Sequence, residues 1–151
     1  MNDTGIPMET VLDEIPSEEC LELLKTQTVG RLAVADHGYY PPHIVPVNFV
    51  VEGDDVIFRT NPGLKFRLSV LAKHSVSFEA DQISDVGHMA WSVVVQGKAE
   101  LLTEEQVNAM AHHEWLTPWV PGEREQWVRI EPYTITGRRI RTTPASPASG
   151  A

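Results

Sequence analysis

The chain has 151 residues, of which 42% are hydrophobic, enough for one domain with a proper core. Its 21 Asp and Glu against 12 Lys and Arg give a formal net charge of -9, which excludes a general nucleic-acid binder with a basic stripe. Cys20 is the single cysteine, so neither a disulfide framework nor a thiolate zinc site is available. There is no apolar run of membrane-spanning length and no signal-peptide pattern, so a cytoplasmic protein without a membrane partner is expected.

Residues 1–10 mix Gly, Pro and polar groups and read as a flexible N-terminal arm. A first helix is expected from Ser17 to Lys25, capped by Ser17, with Glu18 and Glu19 at its positive end and Cys20, Leu21, Leu23 and Leu24 on its apolar side. The period then changes. Gly30–Asp36 reads as a strand, and His43–Val51 as another in which Ile44, Pro46, Asn48 and Val50 alternate with Val45, Val47, Phe49 and Val51. Glu52-Gly53-Asp54-Asp55 is a hairpin turn leading into a strand over Val56–Thr60. Beyond a Pro62-Gly63 turn, Leu64, Leu68 and Leu71 mark one face of a helix.

Ser75–Ala80 alternates as a strand, and Asp81–Gly87 is expected to be a loop. The longest strand is expected over Ala90–Leu102, with Gly97 as a bulge or bend. Thr103-Glu104-Glu105-Gln106 has the pattern of a capping box opening a short helix to about His112, with Leu102 and Val107 as a hydrophobic staple. Two strands, Trp127–Ile130 and Thr134–Ile140, close a folded region of 11–141, and 142–151 is a low-complexity, disordered tail. Six to seven short antiparallel strands with two to three helices predict an α+β, mainly β, closed barrel.

The segment Val56-Ile57-Phe58-Arg59-Thr60-Asn61-Pro62-Gly63-Leu64-Lys65 carries the clearest chemistry. A strand ending in a guanidinium and a hydroxyl leads through a turn to a helix start bearing a second cation. Unpaired N–H groups and the positive end of the dipole favour an anion there, and Lys65 in the first turn opposes the dipole unless an anion offsets it. Arg59, Thr60 and Lys65 therefore predict a phosphate seat, with Arg67 second to them. Each has an ordinary alternative: Lys65 as a solvated helix residue, Arg59 as a cross-hairpin partner of Glu52 or Asp54. Asn48, in an apolar strand, would be a buried amide needing partners.

Among the histidines, His112-His113-Glu114 lacks the second His four residues on that a zinc helix requires, so no metal site is expected. Trp91, Trp115, Trp119 and Trp127 are expected to pack in the core or at an interface, Trp115 and Trp119 also being candidates to cover a ligand. No nucleophile–base constellation, dinucleotide fingerprint or P-loop is present.

The ordered series Val29-Gly30-Arg31-Leu32-Ala33, Val45-Pro46-Val47-Asn48-Phe49, Phe58-Arg59-Thr60 with Gly63-Leu64-Lys65, Trp91 to Ala99, and Ile130-Glu131-Pro132 with Ile135 to Arg138 resembles the pyridoxamine 5′-phosphate oxidase-like superfamily of FMN-binding split barrels. Within it, the chain resembles a short actinobacterial branch similar to nitroimidazole-resistance-type flavoproteins. The resemblance implies an FMN-dependent oxidoreductase acting on a small molecule. It implies that Arg59, Thr60 and Lys65 hold the flavin phosphate, and that the backbone of Val45, Pro46, Val47 and Asn48 lies along the ring. It also implies a homodimer whose interface holds the cofactor, with Trp91 and Ser92 coming from the other subunit.

The substrate motif Arg-x-His of true pyridoxamine-phosphate oxidases is absent, so that substrate activity does not carry over. Two alternatives remain on the same fold. One is a reductase using the deazaflavin F420, with Arg67, Lys73 and Arg138 lining a longer basic groove. The other is a non-enzymatic binder of flavin or haem.

Overall fold

The computed structural model describes residues 5–35, 41–60, 75–86, 89–110 and 126–147. Seven strands run in the order β1-β7-β4-β3-β2-β5-β6, and β6 pairs again with β7. These are β1 (Met8–Ile15), β2 (Val29–Val34), β3 (His43–Glu52), β4 (Asp55–Thr60), β5 (Ser75–Ser84), β6 (Met89–Leu101) and β7 (Gln126–Pro144). The β6–β7 pairing closes six strands into an antiparallel barrel, and β1 is added along the second half of β7. Two helices, α1 (Ser17–Leu24) and α2 (Glu104–Asn108), complete the described elements.

Alternation in the sequence becomes the two faces of the barrel wall. Leu32, Val34, Val47, Phe49, Val51, Val56, Phe58, Val76, Phe78, Ala80, Val93 and Val95 are buried inside. The Phe49 and Phe78 rings meet edge to face, with centroids 4.8 Å apart. Gly30 is needed beside them, because a Cβ there would lie under 3.0 Å from two Phe78 ring carbons. Gly53 supplies the φ of +60° that turns β3 into β4, with Glu52 opposite Asp55.

The expected final two strands form one. β7 runs unbroken through residues 131–133, and the register slips between Gln96, opposite Thr134, and Gly97, opposite Pro132. Gly97 thus sits at an irregularity as expected, but the extra residue is Tyr133 on the partner strand. A Cβ at Gly97 would collide with the Glu131 carbonyl, so close backbone approach requires glycine here. The slip lets β7 pair with β4 through Gln126–Ile130 and with β1 through Gly137–Pro144.

Several expectations are corrected by this pairing. Met8–Thr10, assigned to the arm, pair with Thr142–Pro144, assigned to the tail. The cross-strand ion pair of Asp13 with Arg141, at 2.6 Å, supports that ladder. Residues 81–84 continue β5 instead of opening a loop, because Ser84 still pairs with Met89 in a long hairpin. Ser17 is not the cap of α1. Pro16 occupies that position without a side-chain bond, and the Ser17 hydroxyl donates to the Ile135 carbonyl at 3.3 Å.

Cys20 and Leu24, four residues apart, bury the inner side of α1 against the barrel. Gly137 makes room for the Cys20 sulfur, and Arg139 ties the helix down through Glu19. Burial and the neighbouring Glu19 charge push the Cys20 thiol up, partly offset by a backbone hydrogen bond and Arg139. The capping box of α2 forms as expected, Thr103 accepting from the Gln106 N–H and Gln106 from the Thr103 N–H. The helix expected over 64–71 lies outside the described residues.

Candidate functional site

The barrel wall sorts the expected site residues into two groups. Val45 and Val47 point inward, Val47 buried and Val45 packed against the core, so only their backbone is available to a ligand. Pro46 and Asn48 alternate with them and are exposed on the outer face. Asn48 is therefore not the buried amide expected from its apolar neighbours: two-residue periodicity puts it on the outside wall. It is opposite Val29 of β2, while Pro46 is opposite Arg31.

Arg59 lies on the outer face of β4, one position past the Phe49–Phe58 pair that ends the β3–β4 ladder. This places it beside Asn48 at the same end of the hairpin. Arg59 is directly opposite Trp127 of β7, and its guanidinium carbon sits 5.1 Å from the indole ring centroid. The alternative in which Arg59 pairs with Glu52 or Asp54 across the hairpin conflicts with this geometry, since those residues lie at the opposite, turn end of β4. Thr60 ends β4 opposite Gln126. Lys65, Arg67 and Lys73 lie outside the described residues, as do Trp115, Trp119, His112 and His113.

Trp91 and Ser92 open β6. Trp91 has inward parity, packs against the core and donates its indole N–H to Gln82 at 3.3 Å. Ser92 faces outward between Asp81 and Arg138. Following the ladders from Asn48 through Val29 and β5 to Ser92 crosses three strand spacings, roughly 14 Å of wall. One chain thus presents two separated groups of the expected residues, with Ser92 but not the inward-facing Trp91 sharing the outer face of Arg59, Asn48 and Pro46. Arg59, Asn48 and Pro46 form the first group, and the start of β6 at Trp91 and Ser92 the second.

Between the halves the outer wall holds a shallow groove of about 380 Å³, bordered by Arg31, Ala33, Ile44, Ser77, Glu79 and Val94. Arg31 reaches Asp81 at 3.1 Å and Glu79 at 3.6 Å. Burial raises the Glu79 carboxyl above its ordinary range, and Asp81 adds to this through its charge and a hydrogen bond while Arg31 opposes it. Arg139 and Arg141 face Glu19 and Asp13, so this basic run serves the attachment of α1 and β1.

The Arg59 guanidinium supplies a cation against the Trp127 ring, and beside it the Pro46 and Asn48 side chains stand exposed on the same wall. Sequence reasoning found Arg59 but assigned Trp127 to packing alone, and it did not single out Arg31, Glu79 and Asp81 as a group. The only prior signal for Trp127 was its outward parity in a strand. Its pairing with Arg59 needs the β4–β7 register.

A closed six-stranded antiparallel barrel with one added strand, and two helices among the described residues, defines a split barrel. The family profile of pyridoxamine 5′-phosphate oxidase matches residues 16–139, and the chain belongs to that family. An uncharacterised protein of Mycobacterium tuberculosis is 36% identical over an alignment covering 82% of this chain and 88% of the relative. The FAD binding protein from Mycobacterium smegmatis is 37% identical, with a TM-score of 0.71 covering 85% of this chain and all of that one. A FAD-binding protein from Mesorhizobium loti, at 24% identity and TM-score 0.69 over 87% of this chain and 98% of that one, shares the fold.

Proposed function

We propose that this protein binds FMN at the interface of a homodimer and transfers hydride or electrons between it and a small organic molecule. The observation that carries this reading is the Arg59 guanidinium, seated on Trp127 at the edge of the exposed Pro46–Asn48 wall, in a chain of this family. Bound flavin would supply the redox-active ring, which accounts for a site without a protein nucleophile. Arg59 holds the phosphate by charge-assisted hydrogen bonds, with Thr60 and Lys65 beside it and Arg67 second to them.

The backbone from Val45 to Asn48 lies along one face of the ring, and the Asn48 amide orients its edge. A second copy covers the other face with the start of its β6, through the backbone at Trp91 and the outward Ser92, which in one chain stand about three strand spacings from Asn48. Closure of the two halves excludes water from the ring. The lone, buried Cys20 thiol is compatible with a reducing, cytoplasmic setting.

FAD is the second reading, favoured by the 37% identical Mycobacterium smegmatis protein described as FAD binding. It uses the same seat for its first phosphate and needs further room for the adenosine. The test is to release the chromophore from purified protein by heat and identify it by mass, then to titrate FMN, FAD, F420 and haemin separately. FMN should bind most tightly and to a dimer. Arg59→Ala should weaken it by about ten- to a hundredfold, the loss of charged hydrogen bonds worth about 1.5–3 kcal/mol, with an unchanged melting temperature. Full flavin affinity in Arg59→Ala combined with Lys65→Ala would move the phosphate elsewhere. A deazaflavin or Soret chromophore without FMN binding would replace the reading.

A further inference from the structure

Asn48 and Ser92, set on opposite faces of one ligand in the reading above, stand symmetrically on the outer wall. Asn48 is on β3 and Ser92 on β6, with β2 and β5 between them, so the β2–β5 seam lies midway, roughly 7 Å from each. In an isologous pair the two-fold axis bisects the positions it brings together. An axis that carries Ser92 of one copy over Asn48 of the other must therefore run along this seam. We propose that two copies of the chain meet wall to wall along β2 and β5, with Arg31 of each against Glu79 of the other. This inference rests on the dimer of the proposed function.

The residues that such an axis exchanges fit one another. Across the seam Arg31 is directly opposite Glu79, and Ala33 opposite Ser77. One strand further out on each side, Pro46 corresponds to Val94. Exchange thus sets a cation on an anion, a small side chain on a small one and an apolar side chain on an apolar one, each twice per dimer. Val29 meets Asp81, whose charge Arg31 of its own chain already holds at 3.1 Å. Glu79 is held less closely, at 3.6 Å, and a carboxylate has the lone pairs to accept from a second guanidinium.

The shape of the wall agrees with this contact line. The shallow groove spans the seam, which leaves room for both guanidinium groups between the walls. Away from the seam, two closed barrels curve apart and leave a wedge on either side. Each wedge has β3 of one copy facing β6 of the other, which is where the reading above puts the flavin ring.

Arg31→Glu and Glu79→Arg would be made in separate chains, and dimer dissociation followed by sedimentation over a range of concentrations, with FMN and without it. Either variant alone brings like charges together twice per dimer and should weaken it about tenfold or more. Mixed in equal amounts, the two chains should form a heterodimer within about threefold of the wild-type affinity, because each altered side chain then meets its opposite. An ion pair confined to one chain cannot be repaired by mixing. Should a reversal unfold its chain, Arg31→Gln, Glu79→Gln and the double variant carry the measurement. Their losses in dimer affinity should not add, since either substitution removes both contacts.

Single reversals that dimerise like the wild type overturn the inference. So does a mixture that stays as weak as its components, or a glutamine series whose losses add. A wild type that is monomeric at every concentration, with and without FMN, removes the dimer reading as well. Restored pairing in protein that takes up no flavin upholds the seam and removes the flavin reading alone.

Discussion

Replacing Gly30 by alanine tests why the barrel tolerates no side chain at the start of β2. A Cβ at position 30 would stand under 3.0 Å from two ring carbons of Phe78 and 2.9 Å from the Glu79 carbonyl oxygen. Neither neighbour yields easily. Phe78 is fully buried and packed edge to face against Phe49, and Glu79 is held in the β2–β5 ladder opposite Arg31. Overpacking of a dense core usually costs about 1–3 kcal/mol, and collision with both a rigid ring and a backbone oxygen puts this site near about 3 kcal/mol. For a chain of this size that is a fall in melting temperature of roughly 6–12 °C.

The assay is thermal and denaturant unfolding of wild type, Gly30→Ala, Phe78→Leu and the double variant. Phe78→Leu removes the ring carbons that the methyl meets, so the cost of Gly30→Ala should shrink by about 1 kcal/mol or more in that background. A Gly30→Ala protein as stable as wild type, or a penalty unchanged by Phe78→Leu, would refute the close-approach reasoning. In that case the Val29-Gly30-Arg31 motif would need another explanation.

Two further outcomes follow from the titratable groups. The fold raises the Glu79 carboxyl through burial and Asp81, so the folded state favours its protonated form. That contribution is complete below the unfolded carboxylate range and is lost as pH rises through the folded value. Glu79→Gln should therefore flatten the pH dependence of stability, matching or exceeding wild type at pH 7 and converging with it near about pH 4; destabilisation confined to pH 7 would show that the Arg31 ion pair outweighs burial. Cys20, fully buried and with its thiol pushed up, should resist a disulfide reagent in the native state and react at the rate of unfolding. Fast native labelling would mean that α1 detaches from Gly137 far more readily than its packing implies.

Much of the barrel was legible in the sequence because its strands are amphipathic. Alternation in Val45–Val51 and Ser75–Ala80, the Glu52–Asp55 turn and the Thr103–Gln106 box are local signals, and each marked its element, although the helix opened by the box ends at Asn108 and not near His112. The misses share one cause. Ser75–Ser84 outlasts its alternating hydrophobic core, and β1 is supported by pairing with β7, which no short window contains. Residues 131–133 were expected to separate two strands, yet the chain runs on because β7 takes up the extra residue Tyr133 as a bulge opposite the Gln96–Gly97 step of β6.

For the site, the sequence by itself determined the chemical inventory: a cationic strand end at Arg59, a proline and amide at Pro46 and Asn48, an aromatic and hydroxyl at Trp91 and Ser92. Local spacing suffices for that, since strand parity and turns depend on near neighbours. Only the tertiary structure decided which of these face one another. It turned Asn48 outward, set Arg59 on Trp127 from a strand some seventy residues away, and separated Asn48 from Ser92 by two intervening strands. Such placements depend on the order in which strands close the barrel, and that order is set by long-range packing that no local pattern encodes.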